Sequence, residues 1–163
     1  MKKLNFDEIS SSMFVLNDPE QLRSIVGGTD PIVNITGGYI VNGSNGATFT
    51  NYNGDSLFLP GVKVTSSDQW DDAHYQLNGT IHLDPEGGAD VGTLIHEYGH
   101  YLQQQILGDA GYYNQVAIPS VYSAATNSYD VHNAQAYEVT ATYLGNNFVK
   151  NSNPGFYYNV VYK

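Results

Sequence analysis

Short apolar runs separated by glycine-containing turns dominate residues 29–83. Asn-Gly pairs stand at 42–43, 45–46, 53–54 and 78–79, between runs rich in Val, Ile, Leu and Phe. Asn-Gly favours tight hairpin turns because both residues tolerate a positive φ. The pattern therefore predicts short antiparallel strands, of which the last two, 74–77 and 80–83, form a hairpin.

The apolar spacing changes to a helical one after residue 89. Apolar residues recur every three or four positions from Val91 to Leu102, directly after Asp90, whose side chain suits a helix N-cap. This predicts a helix that ends at Gly108, because glycine is the usual C-terminal stop.

A second helix is predicted farther along the chain, over 133–148, where apolar and small residues again follow a helical interval. Between the two helices, residues 109–131 are rich in Tyr, Ser and Asn and contain Pro119, which favours an irregular segment. The whole pattern predicts an α+β fold, with a mostly antiparallel sheet packed on two helices.

Composition narrows the classes of function. The chain has 163 residues and a formal net charge of −10, with only six Lys plus Arg. A chain this acidic is not expected to bind nucleic acid, because phosphate contacts require a basic surface. The chain also has no apolar run long enough to insert into a membrane. It has no cysteine, so a metal would be held by His, Asp or Glu.

The N-terminal segment, 1–28, has helix-like apolar spacing and ends in a pair of glycines at 27–28. One interpretation is a plain amphipathic helix that glycine terminates. The segment also resembles a double-glycine leader peptide, with Leu22 and Ile25 at the apolar positions seven and four residues before the cut. That resemblance implies a partner, an export transporter that removes the leader, and a secreted domain of 29–163. Without such processing we expect a cytoplasmic protein.

The sequence His96-Glu97-Tyr98-Gly99-His100 carries the chemistry. On a helix, His96 and His100 project from one face about a turn apart, so both imidazoles can bind one zinc ion. Glu97 lies beside the metal position without binding it, where it can act as general base on a zinc-activated water. The pattern predicts a metal site of the metallopeptidase type.

The third ligand is predicted to be Glu138, on the second helix, 38 residues after His100 and the only Glu that follows Glu97. His132 has three interpretations: a replacement ligand, a hydrogen-bond donor to the tetrahedral intermediate, or a residue that only begins the helix. Tyr137 is a further candidate donor to that intermediate.

The run from about 79 to 148 resembles a gluzincin-type zinc metallopeptidase domain, through His96-Glu97-Tyr98-Gly99-His100 and the later Glu138. The resemblance implies a zincin-like fold, zinc as cofactor, and hydrolysis of a peptide or protein substrate laid along an edge strand at 80–83. In many such domains an Asp braces a ligating His, and Thr142 takes that position here. Two alternatives stay open: a secreted binding protein or effector whose structural zinc has a fourth ligand such as His132, and a non-catalytic relic.

Overall fold

The computed structural model of the chain describes residues 32–66, 73–84 and 88–157. The predicted leader at 1–28, with its cleavage position, lies outside the described residues. Within the described ranges, strands come first and helices follow, so the α+β class is confirmed.

The first sheet is a four-stranded antiparallel meander in which neighbouring strands are consecutive in the chain. Its strands alternate buried and more exposed residues, as expected for a sheet with one face on the core. The turn between the second and third strands lies at 44–45, so Asn42 belongs to a strand and not to a turn. The strands are β1 Val33–Ile35, β2 Gly38–Gly43, β3 Gly46–Asn51 and β4 Ser56–Pro60.

The second sheet has three strands, β5 Lys63–Ser66, β6 His74–Gln76 and β7 Thr80–Leu83, in the order β5-β7-β6. The predicted hairpin is confirmed, because β6 and β7 pair antiparallel. The prediction that 80–83 is an edge strand is wrong. β5 pairs parallel to its other side and places β7 at the centre, so the edge strands are β5 and β6.

The strands therefore form two sheets, where the sequence had suggested one. Asn42 links them with its side chain, whose amide donates to the carbonyl of Val64 at 2.7 Å and accepts from the Val64 amide at 2.8 Å. The Asn42 side chain thus makes the hydrogen bonds that a neighbouring strand would make with β5, which explains the presence of an Asn within β2.

The helices are α1 Val91–Tyr112, a π-helical segment Tyr113–Ala117, α2 Ile118–Thr126, α3 Tyr129–Asn133, α4 Ala136–Ser152 and α5 Pro154–Phe156. The prediction of an irregular segment over 109–131 is wrong, since most of it is helical. Pro119 lies in the first turn of α2, directly after the π-helical segment. None of the helices in the described part of the chain is long and apolar enough to cross a membrane.

Both ends of α1 follow from local sequence. Asp90 caps it, since its carboxylate accepts from the Thr93 amide at 2.9 Å. At Gly108 the backbone leaves the helical region, with φ 67° and ψ 168°, as the predicted stop requires; the chain then resumes a helical path to Tyr112. The last turn of α1 therefore points in a new direction.

One hydrophobic core joins the sheets to α1 and α4. Tyr98, Leu94 and Ile95 give α1 its buried face, and Val149 and Ala141 are fully buried on α4. The strands, with Val62 just before β5, supply the rest of the largest fully buried side chains: Val33, Ile40, Phe49, Leu57, Leu59, Val62, Val64, Ile81 and Leu83. The opposite face of α1 is thereby left for polar chemistry.

Candidate metal centre and cleft

His100 is held in one orientation by Gln103, a turn farther along α1. Its Nδ1 lies 2.8 Å from Gln103 Oε1, and Gln103 Nε2 donates to the backbone carbonyl of Tyr137 at 2.7 Å. Because a carbonyl only accepts, the amide nitrogen of Gln103 must face Tyr137 and its oxygen must face His100. His100 therefore carries a proton on Nδ1. Its Nε2 donates to Glu138 when the ring is doubly protonated, and it is the atom that can bind a metal when the ring is neutral.

His96 is oriented in the same sense by α4. Its Nδ1 lies 2.9 Å from the hydroxyl of Thr142, the position at which the family resemblance places an Asp. Both imidazoles thus use Nδ1 for a neighbouring side chain and turn Nε2 inward. Such partners fix the tautomer and the ring plane of a metal-binding histidine.

One carboxylate oxygen of Glu138 contacts the Nε2 atoms of both His96 and His100. Its Oε2 lies 3.1 Å from His96 Nε2 and 3.0 Å from His100 Nε2, while Oε1 accepts a 2.6 Å hydrogen bond from Ser120. Glu138 is only 3% exposed. Burial raises the pKa of the Glu138 carboxyl, but the hydrogen bonds from His100 and His96 outweigh burial and hold the pKa well below its usual range. The carboxylate is therefore ionised.

The three donor atoms fit a zinc ion. One ligand atom from each of His96, His100 and Glu138 lies within 4.8 Å of the other two. In a tetrahedral site with bonds near 2.0 Å, neighbouring ligands are about 3.3 Å apart, close to the two nitrogen–oxygen separations here. Two imidazoles and one carboxylate form a set typical of zinc sites that keep an open position.

Glu97, between the two histidines, is buried and lines the same cleft. Its proximity is visible in the electrostatics of His100. Burial lowers the pKa of His100. The hydrogen bond with Glu138 and the charges of Glu97 and Glu138 outweigh burial, so the pKa of His100 lies above that of an ordinary histidine. The carboxylate of Glu97 is thus placed at the centre without belonging to the three-residue group.

His132 and Tyr137 have different positions. His132 lines the cleft, and its Nε2 lies 3.4 Å from Oε1 of Glu138, the oxygen that does not face His96 and His100. Tyr137 donates its hydroxyl to the carbonyl of Pro119 at 3.0 Å and is not among the described residues along the cleft. His132 therefore joins the centre as a neighbour of Glu138, while Tyr137 contributes its backbone carbonyl and anchors α2.

Tyr112 lies at the centre although nothing in the sequence singled it out. Its ring is buried, packs edge-on against His100 with centroids 6.3 Å apart, and lines the cleft. Burial, followed by the charge of Glu97, raises the pKa of Tyr112 far above its ordinary value, so its hydroxyl remains a donor. The sequence signal that could have indicated Tyr112 is Gly108, because the break in α1 at this glycine changes the direction of the turn that contains Tyr112.

Two glycines set the distance between the helices that carry the three donor atoms. A Cβ on Gly99 would stand 1.9 Å from the carbonyl oxygen of Ala141, and one on Gly145 would stand 2.1 Å from that of Ile95. Real Cβ atoms do not come so close to backbone, so α1 and α4 touch through their main chains. The contact between His100 and Glu138 depends on this close packing of the α1 and α4 backbones.

The cleft above the centre has a volume of about 1100 Å³. Residues of β6, α2 and α3 line the cleft. His96, His100 and Glu138 line it as well, and these three residues are its floor. Tyr75 on β6 donates to Gln104 of α1, which fastens the edge strand beside the helix. An extended segment could therefore lie along β6 and pass over the floor.

Comparison of the whole chain with known protein families, curated proteins and solved structures finds no match.

Proposed function

We propose that the protein is a zinc-dependent metalloendopeptidase with a zincin-like arrangement of its sheet and two ligand helices. One observation carries the proposal: the Nε2 atoms of His96 and His100 meet one oxygen of Glu138 on the floor of an open cleft that Glu97 also lines. The gluzincin resemblance of the sequence supports the same conclusion.

The residues fit zinc, which His96, His100 and Glu138 would hold. When bound, zinc supplies a Lewis acid and lowers the pKa of water toward 7. Glu97 accepts the proton of the attacking water and passes it to the leaving amine, a role that suits a carboxylate beside the metal but outside the ligand set.

We assign two hydrogen-bond donors to the carbonyl oxygen of the substrate, on which negative charge develops during the reaction. The hydroxyl of Tyr112 and the imidazole of His132 both belong to residues that line the cleft around the floor. Tyr137 is replaced in this role by Tyr112, because the Tyr137 hydroxyl is engaged by Pro119.

The edge of β6 positions the substrate. As the outer strand that lines the cleft, it can pair with the backbone of an extended peptide and hold the scissile carbonyl near Glu97. This strand takes the place that the sequence had assigned to 80–83.

The alternative is a structural zinc site in a binding protein, for which His132 would be the fourth ligand. Its Nε2 does approach the Glu138 carboxylate, at 3.4 Å. The open cleft favours catalysis, because a structural site is closed by protein ligands whereas a catalytic one keeps a position for water or substrate.

The test compares zinc content and cleavage of a mixed peptide library for wild type, Glu97→Gln and Glu138→Gln, with exposed Asp130→Asn as a matched control. We expect about one zinc per chain in wild type, Glu97→Gln and the control, and much less in Glu138→Gln. Cleavage should occur only in wild type and the control. Zinc binding in both wild type and Glu97→Gln without cleavage by either would instead support the structural site.

We further propose export by a leader-processing transporter, on the resemblance of residues 1–28 to a double-glycine leader. Mass spectrometry of the mature protein should find Thr29 as its first residue, and an intact N-terminus on active protein would contradict this.

A further inference from the structure

The two carboxylate oxygens of Glu138 have different partners. Oε2 contacts the Nε2 atoms of His96 and His100, whereas Oε1 accepts a hydrogen bond of 2.6 Å from the hydroxyl of Ser120. An O–H donor this close to an ionised carboxylate makes a charge-assisted hydrogen bond, which is stronger than one between neutral groups. Ser120 therefore holds the oxygen of Glu138 that does not face the two histidines.

A second hydrogen bond fixes the position of Ser120 relative to Glu138. The Tyr137 hydroxyl donates to the backbone carbonyl of Pro119 at 3.0 Å. Pro119 directly precedes Ser120 on α2, and Tyr137 directly precedes Glu138 on α4. The two helices are thus joined at adjacent positions, and the backbone of α2 is held where the Ser120 hydroxyl reaches Oε1.

His132 is the other neighbour of Oε1. Its Nε2 lies 3.4 Å from this oxygen, which is beyond the roughly 2.7–3.2 Å of an N–H···O hydrogen bond. Ser120 and His132 both line the cleft, so either could respond to a ligand there. Only the Ser120 hydroxyl, of these two, lies close enough to hold Oε1 by a hydrogen bond.

The orientation of this carboxylate decides how many positions of a bound metal it occupies. A carboxylate can bind a metal ion through one oxygen or through both. With one oxygen from Glu138 and two imidazoles, a four-coordinate zinc ion keeps one open position, and a second carboxylate oxygen would compete for it. The hydrogen bond from Ser120 opposes binding through both oxygens, because Oε1 would have to turn from the hydroxyl toward the metal.

We propose that Ser120 is a positioning residue that keeps Glu138 bound to the metal through Oε2 alone and thereby keeps one coordination position open. This inference deepens the proposed function, because it concerns the same site, and it rests on metal binding by His96, His100 and Glu138. A Ser120 with a merely structural role would stabilise the fold and leave the coordination of the metal unchanged.

The experiment uses the full-length chain loaded with Co²⁺, whose visible absorption is stronger in a four-coordinate site than in a five-coordinate one. Azide, a small anion that binds at an open position, is titrated into each loaded protein, and its Kd is read from the change in absorption. We expect Ser120→Ala to lose absorption intensity and to raise the azide Kd by about 10-fold, the scale on which residues that support a metal ligand act.

Two further variants assign the effect to the hydroxyl. Ser120→Thr keeps a hydroxyl and should retain both the absorption and the azide Kd of wild type. Ser123→Ala removes a buried hydroxyl from the same helix, where it accepts from Asn127, and should also leave both unchanged. Urea denaturation of the metal-free chains checks that each is folded. Wild-type absorption and azide Kd in Ser120→Ala, or the same change in Ser120→Thr as in Ser120→Ala, would overturn the inference.

A second measurement needs no variant. A crystal structure of the zinc-loaded wild type should show Glu138 bound through Oε2 only, with the Ser120 hydroxyl still on Oε1. Both oxygens of Glu138 on the metal would overturn the inference.

The outcomes separate this inference from the proposed function when wild type and Ser120→Ala are also assayed on the mixed peptide library. If the absorption and the azide Kd change as expected but wild type cuts no peptide, hydrolysis fails and the role of Ser120 stands. If wild type cuts peptides and Ser120→Ala has the wild-type absorption, azide Kd and cleavage rate, the peptidase stands and the role of Ser120 is overturned.

Discussion

The side-chain amide of Gln103 connects His100 to the first turn of α4, through a 2.8 Å contact on one side and a 2.7 Å hydrogen bond to the Tyr137 carbonyl on the other. The residue after Tyr137 is Glu138. The side-chain amide of Gln103 thus fixes the tautomer of His100 and the position of Tyr137, which is the residue next to Glu138.

Gln103→Leu should weaken zinc binding by about 10- to 100-fold, the usual effect of losing a partner of a metal-binding histidine. Competition with a chromophoric chelator measures the affinity. Gln105→Leu is the matched control, because Gln105 is exposed on the same helix. Equal affinity in the Gln103 variant and its control would contradict the role given to the amide.

Thr142→Asp should tighten zinc binding by several-fold, since a carboxylate makes a stronger, charge-assisted hydrogen bond to Nδ1 of His96 than a hydroxyl does. Thr142→Val should weaken binding. Thr140→Asp adds the same charge to the same helix, where the Thr140 hydroxyl bonds only its own helix at Ala136. A similar gain in that control would show that general electrostatics, and not the contact with His96, is responsible.

Tyr112→Phe should lower kcat by about 10²-fold, in the range for losing one donor to a developing oxyanion, while KM and zinc content stay near wild type. Steady-state kinetics with metal analysis tests this. Tyr113→Phe alters the exposed neighbouring residue and should have no effect. A rise in KM without a fall in kcat would assign Tyr112 to ground-state binding instead.

Gly99→Ala should destabilise the protein, although alanine is the better helix former by about 1 kcal/mol. The added methyl meets the carbonyl oxygen of Ala141 at 1.9 Å, and overpacking of this kind costs about 1–3 kcal/mol. Chemical denaturation in the presence of chelator measures the free energy of unfolding. Gly155→Ala, whose Cβ has only an ordinary contact at 3.9 Å, should be neutral or stabilising.

Stability should decrease on mild acidification because of His82. Burial, and then the neighbouring His74, lowers the pKa of His82, so the unfolded state binds the proton more readily than the folded state. The stability from neutral His82 is complete above about pH 6.5 and is lost as pH falls through the lower folded pKa. Urea denaturation at pH 7.5 and 5.5, with chelator present, should show a smaller loss for His82→Gln than for wild type. Equal losses would contradict this.

Local sequence predicted the features that local chemistry determines. The Asn-Gly turn at 53–54, the hairpin of β6 and β7, the Asp90 cap and the stop at Gly108 each depend on a few adjacent residues. The grouping of the three donor residues was also predictable, because helical spacing joins the two histidines and no other Glu follows Glu97. Their occupation by zinc stays a prediction.

Other features depend on contacts between distant parts of the chain. The central place of β7 requires the parallel pairing of 63–66 with 80–83, which leaves no mark on the composition of either strand. The helices within 109–131 form from Tyr- and Ser-rich segments whose local propensity is weak, and tertiary packing decides there. Tyr112 is one of 14 tyrosines, and only the redirected turn after Gly108 brings it to His100.

The order of the donor residues along the chain has a consequence for biosynthesis. Glu138 follows His100 by 38 residues, so at about 5–20 residues per second it is added about 2 to 8 s later. Strands β1 to β4, which contribute no described residue to the cleft, are translated well before. A nascent chain thus contains the two imidazoles before Glu138, Thr142 and the Tyr137 carbonyl have been added. If His96, His100 and Glu138 hold the proposed zinc ion, its tight binding is therefore among the last events in making this protein.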